Sequence, residues 1–549
     1  MKVYTVHQSY HAEENSVIDV IDISKFLDVS KYPLKDAWIN VGGWQSWNPG
    51  FEVEPGKKQE SLECKIIKGW NQYLVFPESK FKASKNLVLG QFVCYARWEN
   101  FYLCFVSAGN ISSLLPPVQF IFDRTKNTVS IEIADKNNNW KRDDITAKIE
   151  IFTADSYFDC KDKLKDIFGS NHFEQIKELG MNPGGWESWY NHYANINEKL
   201  ILDDLEALKS TKNIITEGNY SSLIFQVDDG WEKALGLWEP RTDRFPGGMV
   251  NIVNKIEEKH CIPGLWIAPF IVDLRCDTAA AHPQWLLRDE KGNLVPAGFN
   301  PLWGSDGTFY CWDLSQDDVL DWIFSCISKA INEWGFRYLK LDFLYAGMLY
   351  GKFANGEAAY KWYSRAIKLL TSIRRSPDGK PVFYLGCGVP FELSFKYFPL
   401  SRIGCDTLEH WENKLLKFIN WNGRNSAYLN IKDTLGHAMW NQVIFANDPD
   451  VLFIRNKNCS LTEKQKLLIA YVDIMFGSQL MYSDDPTNDN SEEENLLTRA
   501  IVDINSSLKE EDWGVCPIGK DTYKIFTRDG NRQGEINLSK DNSYIRIMR

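Results

Sequence analysis

Eight short apolar segments, separated by helical patterns, constrain the fold of this chain more than any other feature. They cover residues 185–190, 222–227, 263–270, 338–343, 383–386, 401–405, 451–454 and 479–483. Short apolar strands that alternate with helices are typical of β/α units, in which the strands are parallel and buried. Eight units over roughly 300 residues match the size of a (β/α)8 barrel. A doubly wound sheet is the alternative, but no G-x-G-x-x-G turn follows any segment.

The regions on either side of these units have a different pattern. Short alternating runs at 86–95, 101–107, 118–122 and 145–152 are bounded by polar turns, which is typical of a β-sandwich. Further short strands are indicated at 521–527 and 543–548. We therefore predict a multidomain α/β protein. Its parts are an N-terminal β-sandwich over 1–160, a (β/α)8 barrel over 161–487 and a small C-terminal β domain over 488–549.

Charge and the N-terminal sequence limit the partners and the compartment. The net charge is −11, from 62 basic and 73 acidic residues. Such a surface repels phosphate backbones and anionic lipids, so we expect neither a nucleic-acid nor a membrane partner. The first residues lack the apolar core of a signal peptide, and no apolar run reaches the ~18 residues of a membrane span. The 12 cysteines have no C-x-x-C spacing, which favours reduced thiols and a cytoplasmic location.

Carboxylates follow the second predicted strand. Reactive side chains of a barrel lie where strands end and the following loops begin. The segment 222–227 is followed directly by Asp228 and Asp229, and two adjacent carboxylates can accept paired hydrogen bonds from sugar hydroxyls. The 21 tryptophans weakly favour carbohydrate as well, because flat rings suit the apolar faces of sugars. A structural turn is the alternative, since Asp followed by Gly is common there.

The fourth strand, Y-L-K-L-D-F, carries two charged residues. Lys340 and Asp342 are two positions apart and therefore point to the same side of a strand, into the barrel. Leu339, Leu341 and Phe343 are expected to point to the helices. A lysine beside a carboxylate favours its ionised form, which a nucleophile requires. A structural ion pair inside the barrel remains the alternative.

The sixth strand, S-R-I-G-C-D-T, supplies a second carboxyl group. Arg402 and Asp406 are four positions apart and share a face. If Asp342 is a glycosidase nucleophile, a second carboxyl must protonate the leaving oxygen and then activate water. Asp406 fits that role, although a capping aspartate is an equal alternative on these grounds.

Other chemistries have little support in the sequence. The eight histidines show no H-E-x-x-H spacing, and no G-x-S-x-G motif occurs. Cys387 and Cys405, at predicted strand ends, are interpreted as buried thiols. We predict neither a metal nor a cofactor.

Several strings, taken in order, resemble glycoside hydrolase family 36, and most closely its shorter bacterial members. They are F-Q-V-D-D-G-W, P-G-L-W-I-A-P-F, H-P-Q-W-L-L-R-D-E-K-G, Y-L-K-L-D-F, R-I-G-C-D, N-D-P-D-V-L-F-I-R and Y-S-D-D-P. Residues 43–47 also resemble a tryptophan-rich loop of that family's N-terminal domain. The chain reads G-C-G-V-P-F-E-L-S where the larger branch of the family has C-x-x-G-G-G-R. This departure changes the loop expected on the leaving-group side.

The resemblance implies a retaining, exo-acting α-galactosidase with a covalent glycosyl-aspartate intermediate. It implies that Asp342 is the nucleophile and Asp406 the acid/base. Contacts with the sugar are implied for Asp228, Asp229, Lys340, Arg402, Trp266 and Trp189. The expected partner is a small oligosaccharide, bound by a monomer or small homo-oligomer. The alternatives are an α-N-acetylgalactosaminidase, a galactosyl-transferring enzyme and a non-catalytic sugar-binding protein.

Overall fold

The fold is described from a computed structural model of the chain. The structure describes residues 2–8, 17–60, 82–108, 114, 116–133, 145–169, 173–300, 303, 307–419, 425–488 and 490–548. The eleven cysteines in these ranges are all free thiols, and Cys64 lies outside them. Within the same ranges, no helix combines the length and apolarity needed to cross a membrane.

Eight parallel strands form a closed barrel, which confirms the predicted (β/α)8 fold. In chain order, barrel strands 1 to 6 are Pro183–Glu187, Ser222–Val227, Ile262–Ile267, Tyr338–Leu341, Phe383–Gly386 and Leu400–Arg402. Strand 7 consists of Ala446–Asp448 and Val451–Leu452, and strand 8 is Leu480–Tyr482. Consecutive strands pair in parallel, and the pairing of Trp186 with Tyr482 joins strand 8 to strand 1.

Strand 7 is broken at Pro449 and Asp450. Its first piece pairs with strand 6 and its second with strand 8, so the barrel closes across the break. Proline cannot donate to a sheet ladder, and Asp450 has a φ of 89°, which few non-glycine residues adopt. The segment predicted at 451–454 therefore captured only the second piece.

Helices follow most barrel strands and pack on the outside. The α-helices are Tyr157–Phe168, Glu174–Lys177, Trp189–His192, Glu198–Ser210, Ile214–Glu217, Gly248–Glu258, Asp277–Ala281, Asp317–Asn332, Ala359–Leu370, Phe391–Ser394, Lys414–Ile419, Ala427–Gly436, Glu463–Phe476 and Glu492–Leu508. Short 3-10 turns span Ile23–Lys25, Leu34–Asp36, Pro283–Trp285, Leu344–Met348 and Ala438–Trp440. Thr462 and Gln465 form a reciprocal capping box, which fixes where the helix Glu463–Phe476 begins.

Two antiparallel sheets pack face to face in the N-terminal part of the chain. One contains Lys2–Gln8, Trp38–Asn40, Glu52–Val53, Val93–Trp98, Phe101–Ser107 and Ile145–Ala154. The other contains Val17–Asp22, Leu87–Gln91, Val118–Asp123 and Thr128–Ile133. Alternate side chains such as Phe105, Phe120 and Ile131 are fully buried between them, because successive strand residues face opposite sides.

Smaller sheets complete the structure. Trp513–Pro517, Thr522–Thr527, Gln533–Asn537 and Tyr544–Met548 form a C-terminal antiparallel sheet. Glu232–Ala234 pairs with Leu237–Pro240, and Ile271–Val272, Pro296–Phe299 and Thr308–Cys311 form a three-stranded insert between barrel strands 3 and 4. The helix Glu492–Leu508 packs against Glu463–Phe476 of the barrel. The exact domain boundaries stay predictions.

A loop of the sandwich lies on the barrel and is fixed there by hydrogen bonds. The amide of Ser46 donates to the carbonyl of Val389 at 3.2 Å, and the amide of Val389 donates to Ser46 Oγ at 2.8 Å. His437 Nε2 lies 2.8 Å from the carbonyl oxygen of Gly42. These contacts place the following residue, Trp47, over the carboxyl ends of the barrel strands.

Candidate active site

A cavity of about 280 Å³ lies at the carboxyl ends of the barrel strands. Seven of the eight residues predicted for the site line it, namely Trp189, Asp228, Asp229, Trp266, Lys340, Asp342 and Asp406. The eighth, Arg402, is buried and contacts Asp406 from below. A larger cleft of about 680 Å³, lined by residues such as Tyr220, Asn441 and Lys509, contains none of them. The structure thus brings the predicted site residues together at one place.

Asp342 follows barrel strand 4 and is held by donors on both carboxyl oxygens. The indole Nε1 of Trp266 donates to Oδ2 at 2.9 Å, and the amide of Phe343 donates to Oδ1 at 2.7 Å. Burial raises the pKa of Asp342, while Lys340, Trp266 and Cys387 favour its ionised form. Its two oxygens are therefore fixed in orientation beside a cationic neighbour.

Phe343 does not point toward the helices, so that expectation was wrong. Strand 4 ends at Leu341, and Phe343 adopts a left-handed conformation with a φ of 53°. Its ring lies in the cavity wall, with centroids 5.1 Å from Trp47 and 5.2 Å from Trp303. Strand alternation no longer applies once the strand has ended, and the aromatic contacts decide where the ring lies.

Lys340 lies between two carboxyl groups. Its Nζ is 2.9 Å from Asp228 Oδ2 and 3.3 Å from Glu187 Oε2. The side chain of Gln226 donates to the same two oxygens, at 2.7 and 2.9 Å. Neighbouring carboxylates hold the pKa of Lys340 well above its usual value, against the effect of burial. Asp228 is therefore fixed to the barrel core rather than to a surface turn.

Asp229 faces the cavity beside a second acid. The indole Nε1 of Trp303 donates to its Oδ2 at 2.9 Å. Glu232 shares a hydrogen bond with Asp229, and its Oε2 accepts from the amide of Gly230 at 3.2 Å. Burial raises the pKa of Asp229 to about 6, and it raises the pKa of Glu232 well above the usual value. Burial thus favours the protonated form of both acids of this pair.

Asp406 is oriented by Arg402. The guanidinium of Arg402 lies 3.2 Å from Asp406 Oδ1 and 3.0 Å from Asp450 Oδ1. Asp450 also accepts from Tyr190 Oη at 2.6 Å and from the amide of Thr407 at 2.8 Å. The side chain of Asp406 is 35% exposed, whereas that of Arg402 is 1% exposed. The carboxyl group of Asp406 is thus accessible to solvent or a ligand, while the contact with the buried Arg402 holds the side chain in place.

Aromatic side chains form much of the cavity wall. Trp47 and Trp189 end two similar strings, G-G-W-Q-S-W and G-G-W-E-S-W, and both line the cavity, although Trp47 lies in a loop of the sandwich and Trp189 begins a helix of the barrel. Tyr193 packs edge-on against Trp189, with ring centroids 5.3 Å apart, and donates from Oη to Glu409 at 3.0 Å. Flat rings of this kind suit a sugar ring.

Sequence reasoning missed four residues that shape the site: Glu187, Gln226, Trp303 and Asp450. Glu187 and Gln226 could have been found, because each is a polar residue near the carboxyl end of a predicted strand. Asp450 required knowledge of the break in strand 7. Trp303 lies in the insert after strand 3, where no sequence periodicity points to the cavity.

No cluster of three or more His, Cys, Asp or Glu side chains among the residues that the structure describes has the arrangement of a metal site. His192, at 2.6 Å from Asp204 Oδ2, and His437, beside backbone carbonyls, make ordinary structural contacts.

Known proteins share this architecture and part of this sequence. The melibiase family profile matches residues 164–348. The resemblance to glycoside hydrolase family 36 is confirmed. An α-galactosidase of Escherichia coli is 26% identical over 175 residues, which cover 31% of this chain and 22% of the E. coli protein. The chain thus matches about a fifth of the length of that curated relative.

Solved structures extend the likeness over most of the chain. The structure of TtGalA, an α-galactosidase of Thermus thermophilus, in complex with stachyose has a TM-score of 0.68 and 25% identity. The match covers 85% of this chain and 90% of TtGalA. The α-galactosidase AgaA of Geobacillus stearothermophilus has a TM-score of 0.60, with 14% identity over 92% of this chain and 67% of AgaA. The similarity between this chain and AgaA is therefore a similarity of fold.

Proposed function

We propose that this chain is a retaining, exo-acting α-galactosidase that releases terminal α-linked galactose from oligosaccharides. The observation that carries the proposal is the pair of carboxyl groups, Asp342 and Asp406, that line one cavity with five of the predicted sugar-binding side chains on the same barrel end. The volume of about 280 Å³ is near the lower end of the ~300–1,000 Å³ of small-molecule pockets. It suits a single terminal sugar better than a long chain.

The reaction proceeds in two steps. Asp342 attacks the anomeric carbon while Asp406 protonates the departing glycosidic oxygen, which leaves galactose β-linked to Asp342. Asp406, now ionised, takes a proton from water, and the water attacks the same carbon to release galactose with its original configuration. Asp342 supplies the transient bond to the sugar, Asp406 carries the proton in both steps, and water supplies the oxygen of the released galactose.

The contacts of each acid suit these roles. Asp342 needs to be an oriented carboxylate, and two hydrogen-bond donors and Lys340 favour that form. Asp406 needs to gain and lose a proton in each cycle, and its partial exposure gives it access to water. Arg402 and Asp450 keep it in place between the two steps.

Selectivity for galactose is assigned to Asp228 and Asp229. Both are buried acceptors at the cavity, so a sugar lacking a hydroxyl at the matching position leaves an acceptor position of the carboxylate unfilled, which costs about 1–3 kcal/mol. Trp266 and Trp189 cover the faces of the sugar. Lys340 also lines the cavity, whereas Arg402 acts on the site through Asp406. A cytoplasmic location and a monomeric or small oligomeric state stay predictions.

The proposal is tested by assaying the purified protein with 4-nitrophenyl α-galactoside, α-glucoside and α-N-acetylgalactosaminide. We expect hydrolysis of the galactoside at a kcat/KM at least 100-fold above that of the other two, and no activity in Asp342→Asn. Preference for the acetamido sugar would reassign the substrate. Galactose transfer to an added acceptor sugar in preference to water would make the protein a transferase. Binding of galactosides without turnover would refute enzymatic function.

A further inference from the structure

A buried acid that the two-step reaction does not use lies under the cavity. Glu187 is the last residue of barrel strand 1, and its side chain is 5% exposed. It does not belong to the cavity lining; it reaches the site through Lys340, 3.3 Å from its Oε2. Its backbone carbonyl accepts from Oγ of Ser483, the residue directly after strand 8, at 2.7 Å, which fixes the strand end.

Glu187 and Asp228 share the same two donors. Lys340 Nζ and Gln226 Nε2 each contact Glu187 Oε2 and Asp228 Oδ2. Two carboxylates with one cation would leave a net negative charge in the barrel core, and an uncompensated buried charge costs several kcal/mol. Two carboxyl groups that share a site therefore retain one proton between them.

The contacts assign that proton to Glu187. Asp228 is the closer of the two to Lys340, and its Oδ1 accepts from the amide of Asp229 at 3.0 Å. Among the described residues, Glu187 Oε1 has no hydrogen-bond partner, so nothing around it stabilises a second negative charge. Burial, together with the charge of Asp228, raises the pKa of Glu187 to about 8 against the opposing effect of Lys340.

Other charged and titratable groups face this acid from the surrounding strands. Asp450 and Arg402 approach from strands 7 and 6, but they are paired with each other at 3.0 Å. Tyr190 and Tyr338 are also near, and burial raises the pKa of both phenols well above the usual value. Lys340 is therefore the cation that responds when Glu187 changes its charge.

We propose that Glu187 is a positioning residue: while neutral it leaves Lys340 to Asp228 and Asp342, and on ionising it draws Lys340 away and ends activity at alkaline pH. The inference rests on the proposed galactosidase function. Lys340 favours the ionised form of Asp342 and holds Asp228. When Glu187 is ionised it attracts Lys340 more strongly. Lys340 then stabilises the charge of Asp342 less and holds Asp228 less firmly.

The test is a pH–rate profile of Glu187→Gln with 4-nitrophenyl α-galactoside. Glutamine has the size of the neutral acid and cannot ionise. We expect kcat/KM of the wild type to fall as the pH rises through about 8. The decline in the variant should move at least one pH unit higher, with a several-fold change at most at pH 6. The matched control is Glu217→Gln, the same substitution at an exposed helix end, which should leave the profile unchanged.

An alkaline limb in Glu187→Gln identical to that of the wild type would overturn the proposal. So would a loss of activity that is as large at pH 6 as at pH 9, because Glu187 would then be required in its charged form. If the glutamine variant does not fold, Glu187→Asp serves in the same assay. Its shorter side chain withdraws the carboxyl from Lys340, and an unmoved limb refutes the proposal. A wild type inactive on galactosides at every pH would instead refute the proposed function.

Discussion

Trp266 and Asp342 are joined by a hydrogen bond of 2.9 Å between the indole Nε1 and the carboxylate Oδ2, across neighbouring barrel strands 3 and 4. The bond fixes the acid and favours its ionised form. Trp266→Phe removes the donor and keeps most of the ring. A hydrogen bond to a charged group contributes about 1.5–3 kcal/mol, so kcat should fall roughly 10- to 150-fold.

The pH dependence of the same variant has a defined sign. Because the bond lowers the pKa of Asp342, its loss raises that pKa, and activity that needs the carboxylate then fails at a higher pH. The acid limb of kcat/KM should therefore move upward in Trp266→Phe. Trp238, whose ring packs 5.8 Å from that of Trp266, offers a matched control. An equal loss of activity in Trp238→Phe would mean that ring packing, and not the hydrogen bond, is responsible.

Asp229 supplies a second test, of binding rather than of chemistry. Asp229→Asn keeps the shape and removes the charge that accepts a sugar hydroxyl. The KM for an α-galactoside should rise at least 10-fold, since about 1.5–3 kcal/mol of charge-assisted bonding is lost. Asp243→Asn, the same change at a side chain that is 68% exposed, should leave KM unaltered. A fall in kcat at constant KM would place Asp229 in the chemical step instead.

Protonation of Asp229 should weaken substrate binding in the wild type. Its pKa is raised to about 6 by burial, so the fraction that is ionised falls as the pH drops through this value. KM should therefore rise below pH 6, and this rise should be absent in Asp229→Asn. Initial rates over a range of substrate concentrations, at pH 4.5 to 7.5, provide the measurement. A KM of the wild type that is constant over this range contradicts the assignment.

The packing of the sandwich on the barrel is tested at Gly50. A Cβ added there would lie 2.2 Å from Cε1 of the buried His437, in a place where both elements are packed tightly. Gly50→Ala should lower the free energy of unfolding by about 1–3 kcal/mol. It should also raise KM, because the same loop positions Trp47 at the cavity. Gly519→Ala, whose added Cβ meets its nearest neighbour at 3.7 Å, should change neither thermal unfolding nor KM.

The sequence predicts the charged residues at the ends of the barrel strands better than the side chains whose positions depend on contacts with other segments. Lys340 with Asp342, and Arg402 with Asp406, were predicted to lie together, and both pairs do lie at the cavity or directly below it. Strands 4 and 6 end at Leu341 and Arg402, so strand alternation does not account for where Asp342 and Asp406 lie. Alternation fails as soon as a strand ends, which is why Phe343 was placed on the wrong side.

Contacts between distant segments account for what the sequence did not reveal. Trp303 reaches the site from an insert, and Trp47 from a loop of the N-terminal sandwich. No local pattern specifies either approach, although the likeness of the two G-G-W strings was visible. The raised pKa of Glu187 depends on its burial and on its distances to Lys340 and Gln226, which only the closed barrel sets.

The assignment of Asp342 as nucleophile and Asp406 as acid/base is tested most directly by azide rescue of the two alanine variants with an activated aryl α-galactoside. In Asp342→Ala, azide takes the place of the missing carboxylate and attacks the anomeric carbon, so the product should be β-galactosyl azide. In Asp406→Ala, azide should attack the intermediate on Asp342 and yield α-galactosyl azide. The anomers can be read by NMR. The account would be contradicted if Asp342→Ala gave the α-azide and Asp406→Ala the β-azide. Full activity of either variant without azide would contradict it as well.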